Sequence, residues 1–212
     1  MLRRLTVAAL IVATALFGLY VARVPILRQI GAVLIHSDPL VAVDVVVVTL
    51  DSGSAGALEA GDLVRSGAAS RVAVFHDPPR YAADLELVRR GLPYDDRSAR
   101  QMDLLTLLGV RNVLRIPVPV SGTTDEVNAL PSWCLAQGFR SVMVVATSDH
   151  SYRLHRALVR STNGQRIGYL VRPSRYSAFD PDSWWTERTG VRIAVVELQK
   201  LLLDFVMYPM PI

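Results

Sequence analysis

The hydrophobic pattern changes character near residue 40. Before it, Leu5 to Ala22 is an almost uncharged apolar run that follows Arg3 and Arg4, is closed by Arg23, and contains Gly18 but no proline before Pro25. The run is apolar all round, without the polar face that a core helix turns to water. As a helix rising about 1.5 Å per residue it would be roughly 27 Å long, close to the hydrocarbon thickness of a bilayer, so the pattern predicts a membrane-spanning helix. A cleaved signal peptide shares the charged start and apolar middle, but Tyr20 and Val21 around Ala22 give no convincing cleavage pattern. The expectation is an uncleaved anchor and linker over 1–34 and one domain over 35–212. Arg23 and Arg28 nearly balance Arg3 and Arg4 in charge, and the short N-terminal tail then favours an inside amino terminus. That orientation places the domain on the extracytoplasmic side of the cytoplasmic membrane.

From Val41 onward, β-branched runs alternate with segments of helical spacing. Val43 to Leu50 is nearly continuous valine, as expected of a strand covered on both faces. Further strands are predicted over Arg71–His76, Asn112–Val118, Ser141–Thr147 and Arg166–Val171, and helices over Ala55–Ser66, Ser98–Leu108, Thr124–Gln137 and His150–Arg160. Ser98 and Gln101 have capping-box spacing, as do Thr123 and Glu126, while Gly67, Gly109 and Gly138 stand where helices should end. A long helix is predicted from Trp184-Trp185 through Phe205, stopped by Pro209 and Pro211. Packing on the sheet is its expected role, with adherence of Leu203, Val206, Met207 and Tyr208 to the bilayer as the alternative. Strand and helix repeated about five times with right-handed crossovers predict a doubly wound, mostly parallel α/β sheet of Rossmann type.

Composition narrows the function classes. The 212 residues are 51% hydrophobic and 20% charged, which suits one well-buried core and excludes disorder. The net charge of +4 is scattered, with no basic run and no interleaved aromatics, so a nucleic-acid partner is not expected. The single cysteine, Cys134, reads as a core residue, since alone it can form neither an internal disulfide nor a metal cluster.

In doubly wound sheets ligands bind beyond the carboxyl ends of the strands, which directs attention to four loops. Asp51 and Gly53 stand in a small-residue turn whose following helix could offer N–H groups to an anion, although the spacing is not that of a dinucleotide fingerprint. Asp77, after the second strand, is placed to bond a ribose. Thr124 and Glu126 follow the third strand, where Glu126 reads equally as a reciprocal helix cap and as a pocket carboxylate. The densest polar cluster follows the fourth: Thr147, Ser148, Asp149, His150, Ser151, Tyr152 and Arg153. His150 and Arg153 would share one face of a helix start, where cations oppose the dipole unless an anion or a nearby carboxylate compensates. The cluster thus suggests a phosphate or carboxylate site with His150 as acid/base. A metal site is disfavoured, since His76, Asp77, Asp149 and His150 lack a familiar ligand spacing, and His36 has no evident partner. A serine triad is weak without a G-x-S-x-G elbow.

Taken in order, these pieces resemble the ElyC/SanA/YdcF family of Rossmann-like envelope proteins. The resemblance runs from about Asp38 to Asp204 through Asp38-Pro39, Asp44, Glu59-Ala60, Gly67, Gly122-Thr123-Thr124-Asp125-Glu126, Thr147-Ser148 with His150 and Arg153, Trp184-Trp185, Glu197 and Lys200. Two features depart from the pattern: Thr49-Leu50-Asp51-Ser52-Gly53 replaces a Gly-Gly after the first strand, and no arginine opens the first helix near Ala57. The resemblance implies a role in cell-envelope and peptidoglycan homeostasis, and a soluble relative is reported to bind S-adenosylmethionine; no common reaction or cofactor follows from it. The leading expectation is an extracytoplasmic envelope-maintenance protein that binds an anionic small molecule or phosphate-bearing envelope precursor through Ser148, Asp149, His150 and Arg153, with Thr124 and Glu126 opposite. The alternatives are a nucleotide- or S-adenosylmethionine-binding module using Gly53 and Asp77, and a non-catalytic partner of another envelope protein.

Overall fold

In the computed structural model, which describes residues 2–161 and 167–209, the valine run forms the centre of the sheet. The strands are β1 (Val45–Val48), β2 (Val72–His76), β3 (Val113–Pro119), β4 (Ser141–Ala146) and β5 (Gly168–Pro173), all parallel, in the order β3-β2-β1-β4-β5. Arg166, where the fifth strand is predicted to begin, lies outside the described residues. Alternate side chains of β1 enter two different cores. Val45 and Val47 pack with Leu130, Trp133 and Leu154 on one face, and Val46 and Val48 pack with Ala57, Ala60 and Leu105 on the other. With both faces buried, nothing selects polar residues at alternate positions, which is why the strand reads as unbroken valine. Cys134 is fully buried in the first of these cores.

The helices are α1 (Leu2–Ala32), α2 (Gly53–Arg65), α3 (Ala82–Arg89), α4 (Arg97–Leu107), α5 (Thr123–Gln137), α6 (Ser151–Ser161) and α7 (Arg188–Met207). Helix α3 has no buried residue and was not signalled by the hydrophobic pattern. Gly67, Gly109 and Gly138 all have positive φ at helix ends, as their positions suggest. Both expected capping boxes take another form. Asp96, not Ser98, caps α4 by accepting from Ala99 N–H at 3.0 Å, and Ser98 Oγ donates to the same carboxylate. Glu126 does not reach back to its own helix start; Oε1 accepts instead from Leu50 N–H, at 2.9 Å, across the sheet end.

The C-terminal segment also departs from expectation. Trp184–Thr186 is a separate 3-10 turn, Glu187 is extended, and α7 begins only at Arg188. Rather than covering the sheet, α7 closes a third small core of Leu34, Phe179, Ala194 and Leu201, with Tyr152, Trp184 and Leu198 at its margin. Trp184 Nε1 donates to Leu27 O at 2.9 Å, tying this region to the end of α1. Helix α1 contains Leu10–Ala32, a 23-residue stretch whose most apolar 18 residues have a mean hydropathy of 2.0, long and apolar enough to cross a membrane. The helix runs through Pro25, beyond the predicted end at Ala22, and its most apolar stretch is not covered by the rest of the protein.

Candidate functional site

After β1 the chain builds β2 and β3 on one side, then crosses back to place β4 and β5 on the other. The order therefore reverses between β1 and β4, and in sheets of this kind the space beyond the carboxyl ends at that switch point is the place of a ligand crevice. Thr49–Gly53 follows β1, Thr147–Arg153 follows β4, and the start of α5 brings Thr123 and Glu126 across the gap.

Gly53 has φ +50° and ψ −134°, a conformation that excludes most side chains, and it turns the chain from a 3-10 turn into α2. Gly56, one turn on, lies so close to Ser52 and Val48 that an added Cβ would collide with both. These two glycines let α2 start against the strand end. A cleft of about 340 Å³ beside this turn is lined by Asp51, Gly53, Ser54, Arg97, Arg100 and Gln101, with Leu50 and Leu104. Gln101 fixes its orientation by donating Nε2 to Thr49 O at 2.9 Å, while its buried Oε1 has no hydrogen-bond partner. A larger depression of about 620 Å³ lies at the opposite edge, among the loops that precede β1, β2 and β3, and is distant from the strand carboxyl ends.

Arg97, at the first position of α4, was not singled out by sequence reasoning. Its Nε and Nη2 bind the Asp77 carboxylate at 2.9 and 3.1 Å, and Nη1 binds Asp51 at 3.0 Å. Asp77 also takes Arg80 at 2.8 Å. Burial alone would raise the Asp77 carboxyl; the hydrogen bonds and charge of Arg97, with help from Arg80, overcome it and hold the group below the usual range. Asp77 is therefore not the ribose acceptor expected from its position: its oxygens are committed to two arginines. Asp51 remains exposed at the cleft mouth.

On the β4 side the geometry corrects several expectations. Ser148 is buried and used internally, its N–H donating to Ser177 Oγ at 2.9 Å and its hydroxyl to Phe179 O at 3.0 Å. Thr124 faces away from the crevice and lines a groove with Val127, Ala157, Arg160 and Tyr208. His150 is 4% exposed, with Nε2 3.2 Å from Thr123 Oγ1. Its Nδ1 lies 3.6 Å from Glu197 Oε2, an ion-pair separation too long for a hydrogen bond, so that atom is without a hydrogen-bond partner. Arg153 Nε contacts the same Glu197 oxygen at 3.1 Å, and Lys200 contacts Oε1 at 2.5 Å. Burial would raise the Glu197 carboxyl, but His150, Lys200 and Arg153 together hold it down to about 2. The His150–Arg153 pair is thus met by an internal acid, the second of the two forms of compensation open to it, so the placement by itself does not require a guest. Glu197 was named in the sequence only by family resemblance; its contact across 44 residues has no local signal.

The compensation is incomplete. Arg153 and Lys200 share one carboxylate, which leaves an excess positive charge, and no hydrogen bond of the Arg153 Nη atoms is found among the described residues. Facing them, Glu126 is 3% exposed, and burial pushes its carboxyl up to about 7 despite the Leu50 N–H bond; Asp51 adds to the rise, while Arg97 and Arg153 oppose it. Its Oε2 has no hydrogen-bond partner among the described residues. Asp149 is likewise raised, by burial first and then by the Glu197 charge. Glu126 is thus a group whose proton is poised to move near neutrality.

No family model matches the chain, and no curated protein matches it. Among solved structures, it is similar to guanylylpyridinol- and ATP-bound HcgE from Methanothermobacter marburgensis, at 11% identity over 80% of this chain and 99% of that one, with a TM-score of 0.34. A likeness this slight carries no argument about what the crevice binds.

Proposed function

We propose that this is a membrane-tethered protein of cell-envelope maintenance, its domain outside the cytoplasmic membrane, that binds a phosphate-bearing envelope precursor or similar anionic small molecule in the β1–β4 crevice. The observation that carries this reading is the surplus cation: Arg153 and Lys200 share Glu197, and the two Nη nitrogens of Arg153, which have no hydrogen bond among the described residues, can form paired bonds to phosphate oxygens. Arg97 holds the other side of the crevice, where the exposed Asp51 is the partner a guest would displace.

Glu126 supports a chemical role at the same place. A carboxyl titrating at about 7 can give a proton to a leaving oxygen or take one from an attacking water. His150, held between Thr123 and Glu197, serves to position and polarise. The apolar helix ahead of the domain and the resemblance to the ElyC/SanA/YdcF family support the envelope setting.

Calorimetry of the full chain in detergent micelles, titrated with inorganic phosphate and then with a short-chain polyprenyl phosphate, tests the reading. Binding of the polyprenyl phosphate should be weakened about tenfold or more by Arg153→Lys, which removes the planar fork, equivalent to about 1.4 kcal/mol. Glu126→Gln should leave binding in place and abolish any turnover. Absence of heat with both probes at millimolar concentration, or equal affinity in Arg153→Lys, overturns the proposal.

A further inference from the structure

On the side of the domain next to the anchor, His36, Asp38 and His155 meet. Each offers one ligand atom, and these atoms all lie within 4.8 Å of one another. His36 Nε2 is 3.0 Å from Asp38 Oδ1, and His155 Nδ1 is 3.9 Å from Asp38 Oδ2. The two imidazoles stack with centroids 3.6 Å apart. Among the described residues, the ion pairs of Asp38 are with these two rings, and no lysine or arginine neutralises it. We propose that His36, Asp38 and His155 form a binding site for a divalent transition-metal ion of the zinc class, which clamps the chain emerging from α1 onto α6.

The spacing suits such an ion. Ligand bonds of about 2.1 Å in tetrahedral geometry separate ligand atoms by roughly 3.4 Å, and the two carboxylate–imidazole distances fall on either side of that value. Seating the ion requires the stacked rings to swing so that both lone pairs converge, a side-chain rotation at partly exposed positions. Two imidazoles with one carboxylate are nitrogen-rich donors that favour zinc, nickel, copper or cobalt over the oxygen-seeking calcium and magnesium. Three protein ligands leave a coordination position for water.

The supports behind the ligands are already in place. Asp38 Oδ2 accepts from Val171 N–H at 2.7 Å, and Asp38 N–H donates to Val171 O at 3.0 Å, which holds the residue at the open edge of β5. His36 N–H donates to Ser151 Oγ at 2.9 Å, and Tyr152 N–H to Leu34 O at 3.1 Å. Outer contacts of this kind fix ligand orientation in metal sites. The site is built from the linker and α6, about 115 residues apart, and does not depend on the crevice.

The test uses the tag-free full chain in detergent, stripped with a chelator and titrated with Co²⁺ and then Zn²⁺. The expected result is one Co²⁺ per chain with the intense visible absorption of a tetrahedral site, displaced by Zn²⁺. His36→Ala and His155→Ala should each weaken binding by at least about 100-fold, no less than the loss of an outer contact costs. Should a variant misfold, the wild-type chain still decides: Co²⁺ should perturb the ring resonances of His36 and His155 and spare those of His76 and His150. Lack of stoichiometric binding, retention of binding in the double variant, or perturbation of His76 and His150 instead overturns the proposal.

Discussion

Two buried glutamates in the crevice are driven in opposite directions by their surroundings, and each makes stability depend on pH with a definite sign. Glu126 titrates at about 7 in the folded chain, against about 4.3 when unfolded, because it is buried with a single backbone donor. Between those values the folded state holds the proton and the unfolded state does not, so the stability present below about pH 4.3 is lost as pH rises through about 7. The loss is about 4 kcal/mol. Glu126→Gln keeps an oxygen for the Leu50 N–H and should raise the thermal midpoint at about pH 8 while leaving it unchanged near pH 4. Glu197 is the reverse case, held at about 2 by His150, Lys200 and Arg153 against its burial. Its contribution is present above about pH 4.3 and lost as pH falls through about 2. Glu197→Gln, which strands two cations, should cost about 3 kcal/mol in urea unfolding at neutral pH and far less near pH 2.

At the level of elements, close backbone approach and one buried ion cluster hold the site in position. Helix α2 begins against β1 because Gly56 has no Cβ to meet Ser52 and Val48. Gly56→Ala should destabilise the domain by about 1–3 kcal/mol and weaken phosphate binding by displacing the Asp51–Gly53 turn, measured by denaturation and calorimetry together. Helices α6 and α7 are joined by Asp204, which takes Arg156 at 2.7 Å and Arg160 at 2.6 Å, with Arg156 lying 3.7 Å from the centre of the Phe205 ring. Burial opposes ionisation of Asp204, but the two arginines hold its carboxyl below the usual range. Asp204→Asn leaves a buried guanidinium short of its acid and should cost about 3–5 kcal/mol at neutral pH. Because α6 carries Arg153 and α7 carries Glu197, the same substitution should loosen ligand binding without touching the crevice.

For the molecule as a whole, the junction of the apolar N-terminal helix and the domain is tight. Trp184 reaches Leu27 O, Arg28 pairs with Asp182 at 3.3 Å, and Gly31 abuts Pro181 and Trp184. The turn at Trp184-Trp185 is therefore a brace beneath the apolar helix as much as a lead into α7. On the proposed topology, the chain should resist alkaline extraction from membranes. Protease added outside intact spheroplasts should degrade the domain, while inside-out vesicles protect it; protection in the opposite sense would reverse the orientation.

The local pattern determined the elements of the sheet and the apolar N-terminal helix, because strand burial on two faces and an uncharged span each leave a signature in consecutive residues. Helix α3 left none, having no buried face. What the sequence could not settle was the partner of each charged side chain. Asp77 and Arg97 meet across 20 positions, Glu126 and Leu50 across 76, Arg153 and Glu197 across 44, and His36 and His155 in a stacked pair joined by neither spacing nor motif. The residue types at the strand ends pointed to the loops after β1 and β4. Only the order in which the sheet assembles decided which of those groups are spent on one another and which are left for a ligand, because electrostatic compensation depends on distance in space and not along the chain.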